Sequence, residues 1–324
     1  MASALVHQEP PAHRLGANGY GVRVVTNKGS PGVVRVRLDL AYDGGGFSGW
    51  AVQPGLRTVA GVLSEALTTV LRTQVPVVVA GRTDTGVHAR GQVAHIDVPA
   101  EAMDRLRAHD GTTGPPVLVR RLSKLLPDDV VLHDAQVAAP GFDARFSPVS
   151  RRYAYRVCDT HRDPLTRSFV LWHRGPLDVA AMAASTGPLL GLHDFAAYAK
   201  PREGATTIRT LLRFDWQRVH DGPDAGLVVA QVEADAFCHS MVRSLVGACL
   251  AVGENRRDPA WPAQLLADGH RSLVAPAHGL TLEHVTYPPD DKLATRATQA
   301  RARRDLLNPS EPAGAFEQGV QDTG

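Results

Sequence analysis

Hydrophobic and polar residues alternate along residues 34–40, with Val34, Val36, Leu38 and Leu40 on one face and Arg35, Arg37 and Asp39 on the other. A period of two with one polar face predicts a half-buried strand. Thr58 stands before a different rhythm, in which Val59, Val62, Leu63, Ala66, Leu67 and Val70 recur at helical spacing. The threonine is a natural N-cap for the helix this predicts. A Val-rich strand over 75–79 leads into a tight Gly-containing loop at 81–86, and a strand follows at 92–98 through Ala94, Ile96 and Val98. In the second half, Tyr153, Tyr155 and Val157 alternate with Arg152, Ala154 and Arg156, which predicts a strand over 152–157. A helix near 178–186, strands near 211–218 and 227–236, and a helix near 239–252 complete the pattern. Such units with hairpin-length links predict an α+β fold with a central, largely antiparallel sheet and flanking helices. Its two similar halves, 33–145 and 146–288, are expected to share one cleft.

Outside this region the pattern lapses. Residues 1–32 are polar and broken by Gly16, Gly19, Gly21, Gly29, Pro31 and Gly32, and are expected to be a flexible lead-in. Residues 289–324 are expected to be a disordered basic and polar tail, with at most a short solvated helix near Lys292, Arg296, Arg301, Arg303 and Arg304. No run of about 18 apolar residues predicts a membrane span, and the first thirty residues lack the apolar core of a secretory signal. A cytoplasmic location is the expectation.

Composition changes this picture little. At 324 residues, with 44% hydrophobic and 21% charged, the chain is ordinary globular material of one large or two medium domains. Cys158, Cys238 and Cys249 are too few and too widely spaced for a disulfide framework or a Cys-based zinc site. Cys238 and His239 are adjacent, but no further ligands follow at a recognisable spacing, so no metal is expected. A net charge of +2 does not by itself imply a nucleic-acid partner. Of the 35 basic residues only Lys28, Lys124, Lys200 and Lys292 are lysines. Arginine forks suit phosphate and base contacts, but a GC-rich genome explains the bias as well.

The densest chemistry lies in Gly81-Arg82-Thr83-Asp84-Thr85-Gly86-Val87-His88. An acid flanked by glycines, directly after a buried strand, projects a carboxylate from a rigid edge. The plainer role for such an aspartate is a turn or cap, and local sequence leaves the two even. Asp84-Thr85-Gly86 is also the signature triplet of aspartic proteases, where two such carboxylates share a proton. The other Asp-Thr-Gly is Asp322-Thr323-Gly324, around which no lobe can form, and polar Arg82 and Thr83 precede the first triplet. A protease is not expected.

Five separated motifs, in order over roughly residues 34–288, resemble the tRNA pseudouridine synthase A family. They are Tyr42-Asp43-Gly44 with Gly49-Trp50; Gly81 to His88 with Gly91-Gln92-Val93; Ala144-Arg145-Phe146-Ser147 running into Arg151-Arg152-Tyr153-Ala154-Tyr155; Gly191 to Phe195; and Phe237 to Gly247. The resemblance implies a pseudouridine synthase fold that isomerises uridine to pseudouridine in the anticodon stem-loop of tRNA (positions 38 to 40 by tRNA convention). The C–N glycosidic bond breaks, the uracil turns, and C5 is joined to the ribose. It further implies no cofactor, and a homodimer in which one tRNA touches both subunits. Asp84 is implied as the essential aspartate, a carboxylate suited to that chemistry either as nucleophile or as base at the sugar.

Tyr153 matches the family tyrosine that sits against the target base. Arg243 matches the arginine that partners the aspartate, and a bidentate pair is expected. His239 and Arg243 lie one helical turn apart and can both face the cleft; Met241, Val242 and Leu245 predict that this helix is buried, where an unpaired charge would be costly. Arg82 matches the arginine implicated in extruding the target base, since a stacked nucleotide hides its sugar bond. Phe142-Asp143-Ala144-Arg145-Phe146, and the segment from Lys200 through Arg202 to Arg209, match RNA-contacting stretches. The sequence departs from the family at Thr85, where alanine is usual, and at Ala51 and Ala60, near which glutamine is usual. These departures bear on substrate breadth and remove no catalytic group. The alternatives are an RNA-binding protein without catalysis, against which the Asp84, Tyr153 and Arg243 set argues, and a related synthase acting on another RNA or a uridine nucleotide.

Overall fold

The computed structural model describes residues 32–202 and 204–301. All of the expected lead-in but Gly32, the end of the expected tail and Asp322-Thr323-Gly324 lie outside the described residues.

The alternating segment forms β1 (Val33–Tyr42), with Val36, Leu38, Leu40 and Tyr42 buried on one face. Thr58 caps α1 (Val59–Leu71) by accepting a hydrogen bond from the Gly61 amide. Then come β2 (Val77–Val79), β3 (His88–Pro99), α2 (Ala100–Asp104), α3 (Pro115–Leu122) and β4 (Val130–Val137). The second half supplies β5 (Ser150–Cys158), β6 (Leu171–Trp172), α4 (Val179–Ala184), β7 (Gly191–Asp194), β8 (Ile208–Arg218) and β9 (Val228–Ala234). It continues with α5 (Met241–Gly253), α6 (Trp261–Asp268), β10 (Leu280–Thr286) and α7 (Leu293–Arg301).

These strands form one sheet in the order β4-β1-β3-β10-β5-β9-β8-β7, with β2 on β3 and β6 on β5. Pairing is antiparallel except between β3 and β10 and between β5 and β6. The strand between the two halves is therefore β10, the last strand in sequence among the described residues. It pairs Leu282 with Ala89 on one side and with Tyr153 on the other. β3 and β5, the strands that carry the site loops and Tyr153, are held a fixed distance apart by this insertion. Among the helices α1 packs against α3, and α4 and α6 against α5. Helix α5 is buried along nearly its whole length, as its apolar neighbours around Arg243 predict.

Two expectations need correction. The strand expected over 75–79 starts at Val77, although Val75 is buried. The expected mobile tail instead begins as a docked helix. Leu293 and Ala297 of α7 are buried, Arg296 donates to the Pro148 carbonyl, and Arg301 pairs with Asp143 at 2.9 Å. Reading the basic residues alone hid the apolar pair, four residues apart on one face of the helix. Among the described residues, no helix is long and apolar enough to cross a membrane.

Candidate active site

The loop between β2 and β3 is fixed from beneath. Thr83 and Gln92 are buried, as is Tyr42. The Tyr42 hydroxyl and Thr83 Oγ1 are hydrogen-bonded at 2.8 Å, and Gln92 Nε2 donates both to Tyr42 Oη and to the Gly81 carbonyl. The Trp50 amide donates to the Thr83 carbonyl at 3.1 Å. Burial pushes the Tyr42 phenol up to about 12, against which the bonds to Thr83 and Gln92 act. Gly49 has φ +89°, and a Cβ there would lie 2.9 Å from the Thr83 carbonyl oxygen, so this crossing accepts only glycine. With Thr83 anchored inward, Arg82 is exposed and Asp84 lies half-buried between the loop and α5.

The other wall is the first turn of α5. Arg243 Nη1 lies 3.6 Å from Asp84 Oδ2, Ser240 Oγ donates to that same oxygen at 3.1 Å, and His239 Nε2 lies 3.4 Å from Oδ1. The helix N-terminus adds positive potential on the same side. The expected bidentate pair is not formed. Arg243 Nε instead donates to the Ala275 carbonyl at 2.8 Å, which orients the guanidinium and leaves one nitrogen facing the carboxylate. At 3.6 Å that contact is electrostatic rather than a hydrogen bond. The sole hydrogen-bond donor to the Asp84 carboxylate among the described residues is Ser240.

Tyr153 is buried on β5, with its ring edge-on to Phe237 at a centroid distance of 5.1 Å. Burial pushes its phenol well above the usual range, and the charge of Asp84 adds to that shift. Its hydroxyl makes no hydrogen bond among the described residues. Two positions earlier on the same strand, buried Arg151 donates to the carbonyls of Ala80, Arg145 and Asp235 at 2.8–3.0 Å. It thereby ties the segment leading to Asp84 to the segment leading to α5. Burial draws its guanidinium pKa downward.

The residues expected to touch substrate separate into two groups. Arg82, Arg145, Lys200 and Arg202 are exposed, and the Lys200 amide donates to the His239 carbonyl, which places the backbone of Lys200 beside the site. Phe146 is half-buried between the guanidiniums of Arg145 and Arg301, 5.0 and 4.4 Å from its ring. Arg209 is half-buried on β8, opposite His193 of β7. Phe142 and Ala144, by contrast, are core residues. Phe142 packs on Tyr287 and His95, and Ala144 donates its amide to His95 Nδ1, so neither side chain reaches solvent. Asp143 is a turn residue whose Oδ1 accepts from the amides of Arg145 and Phe146. All three residues shape the Arg145–Phe146 turn; the burial of Phe142 and Ala144 makes their side chains supports rather than surface contacts, while Asp143 stays half-buried at the turn.

Sequence reasoning missed Ser240, Arg151 and the Tyr42–Gln92–Thr83 network. Ser240 was visible before an apolar helical run, but a serine there reads as an ordinary N-cap. Among the described residues, no group of three or more His, Cys, Asp or Glu side chains is placed to hold a metal ion.

One mixed, mostly antiparallel sheet with a strand inserted between its two halves, and one aspartate at their junction between a helix N-terminus and a buried tyrosine, is consistent with the fold of the pseudouridine synthase class. The family described as tRNA pseudouridine synthase matches residues 187–288. Over 290 residues the chain is 53% identical to a tRNA pseudouridine synthase A of Streptomyces griseus, covering 87% of this chain and 98% of that one. It is 54% identical over 285 residues to that of Frankia casuarinae, covering 86% and 98%, and 51% identical over 280 residues to that of Mycobacterium leprae, covering 84% and 96%. The chain belongs to the tRNA pseudouridine synthase family.

Proposed function

We propose that the protein isomerises uridine to pseudouridine in tRNA, in the anticodon stem-loop, with Asp84 as the reacting group. The observation that carries this reading is the setting of Asp84. Its charge is offset by Arg243, one oxygen is hydrogen-bonded by Ser240, and it faces the cleft beside Tyr153. The reaction is redox-neutral. The bond from N1 to the ribose breaks, a bond from C5 forms, and the hydrogen leaving C5 is balanced by one gained at N1. A carboxylate correctly aimed suits the sugar step. The Tyr153 ring offers a face against the uracil, with its hydroxyl near the base edge. Exposed Arg82, Arg145, Lys200 and Arg202 supply phosphate contacts around the mouth. Action as a homodimer in the cytoplasm belongs to the same reading.

The test is incubation with unmodified tRNA transcripts followed by mapping of pseudouridine. Asp84→Asn keeps the shape of the side chain and loses its charge. It is expected to abolish product while changing tRNA affinity less than about tenfold. Turnover at the wild-type rate by purified Asp84→Asn would refute the assignment.

A further inference from the structure

Ser240 occupies the N-cap of α5, yet it does not cap it. Its backbone is left-handed, φ 62° and ψ 7°, where an N-cap is normally extended, and its hydroxyl makes no bond to its own helix. The hydroxyl donates instead to Asp84 Oδ2 at 3.1 Å, across 156 positions of sequence. Left-handed backbone is unfavourable for a residue with a Cβ. Backbone and side chain have therefore both left the arrangement that would best stabilise the helix, and both departures serve the same contact. Strain held beside a reacting group points to a role for it there.

We propose that Ser240 is a positioning residue: it fixes Asp84 Oδ2 from the helix side, so that Oδ1 is the oxygen presented to the ribose. Oδ2 has both the Ser240 hydroxyl and the Arg243 guanidinium against it, whereas among the described residues Oδ1 has only the exposed His239 ring at 3.4 Å. Arg243 is itself aimed by the Ala275 carbonyl and stands outside hydrogen-bonding distance, so it offsets charge without setting the rotation of the carboxylate. The directional bond comes from Ser240, and orientation within a fraction of an ångström is what such a reacting group needs. The inference rests on Asp84 being the reacting group.

The experiment measures three quantities on full-length variants: thermal midpoint, tRNA affinity, and single-turnover rate with saturating protein. Ser240→Gly relieves the left-handed backbone and deletes the hydroxyl. It is expected to raise the midpoint by roughly 2 °C, slow turnover about tenfold, and leave affinity within about twofold. Ser240→Thr keeps the hydroxyl and adds a branch that the left-handed region tolerates poorly. It is expected to lower the midpoint yet turn over within about threefold of wild type. A merely structural serine would move rate and stability together. Wild-type turnover by Ser240→Gly, with Asp84→Asn inactive, would overturn the role of Ser240 alone. Turnover by Asp84→Asn as well would overturn the reading of the site along with it.

Discussion

Replacing Arg243 with alanine removes the guanidinium that stands 3.6 Å from Asp84 Oδ2. Two unit charges at that separation attract by about 5 kcal/mol at an effective dielectric of about 20, and by about 1 kcal/mol in bulk water. The side chains are 21% and 27% exposed, so neither limit applies and solvent screening takes roughly half of the larger value. Some 2–3 kcal/mol, order of magnitude, is the loss to expect where RNA covers the cleft and the carboxylate must stay charged, and it corresponds to about a hundredfold in rate. On the proposed role of Asp84, the loss should fall on turnover rather than affinity, because the guanidinium faces that carboxylate. The assay is single-turnover release of tritium from C5 of uridine in an unmodified tRNA transcript. Arg243→Lys restores a charge but not the anchor to Ala275, since an ammonium cannot hold the carbonyl and face the carboxylate with a rigid fork. It should recover part of the rate. If Arg243→Ala releases tritium within about threefold of wild type, the pairing with Asp84 contributes nothing to the reaction.

Three further outcomes follow from the same contacts. Arg151→Met leaves the carbonyls of Ala80, Arg145 and Asp235 without their buried donor and should cost roughly 3–5 kcal/mol in denaturant unfolding; a loss under about 1 kcal/mol would contradict that. His95 is held neutral, its pKa brought down to about 4 from 6.5 by burial first and by the Arg35 guanidinium second, so between those values the unfolded chain binds a proton that the folded chain does not. Stability should therefore fall by about 2 kcal/mol as pH drops from neutrality to 5, and His95→Gln should flatten that slope. Charge reversal at Lys200 and Arg202 should reduce the slope of log affinity for tRNA against log salt by about 1.5, and an unchanged slope would remove these residues from the phosphate contacts.

Much of this is legible in the sequence alone. β1, α1, β5 and α5 are written in their periodicities because each buries one face, or all of itself, in a single core. Asp84 and Arg243 stand in short, dense motifs, and chemistry of that kind is local. The central strand β10 was not legible: Leu280–Thr286 is short, follows an irregular stretch, and owes its place to pairing on both sides with strands far away in sequence. The support role of Phe142 and Ala144 was hidden for the opposite reason. An aromatic between polar residues reads as a contact, and only tertiary packing against Tyr287 and His95 turns it inward. Ser240 escaped because a capping serine and a diverted one share the same sequence. The difference between them is a left-handed backbone at one residue and the direction of its hydroxyl.

Asp84 comes from the first half of the chain, and Ser240, His239 and Arg243 from the second, so no arrangement within either half aligns the carboxylate. The junction is set by β10, which spaces β3 from β5, and by Arg151, which joins the carbonyls of Ala80 and Asp235 across it. Both devices act on backbone. They fix where the two walls stand to within a hydrogen bond and leave the final aim to one hydroxyl. A site built in this way tolerates substitution on the surface of either half, because surface changes do not alter the spacing of the walls. It is sensitive wherever a change lets the walls separate by even a fraction of an ångström, since the contact from Ser240 is directional and that from Arg243 already lies at the edge of its range. Distant substitutions along β10 should therefore depress turnover before they unfold the protein.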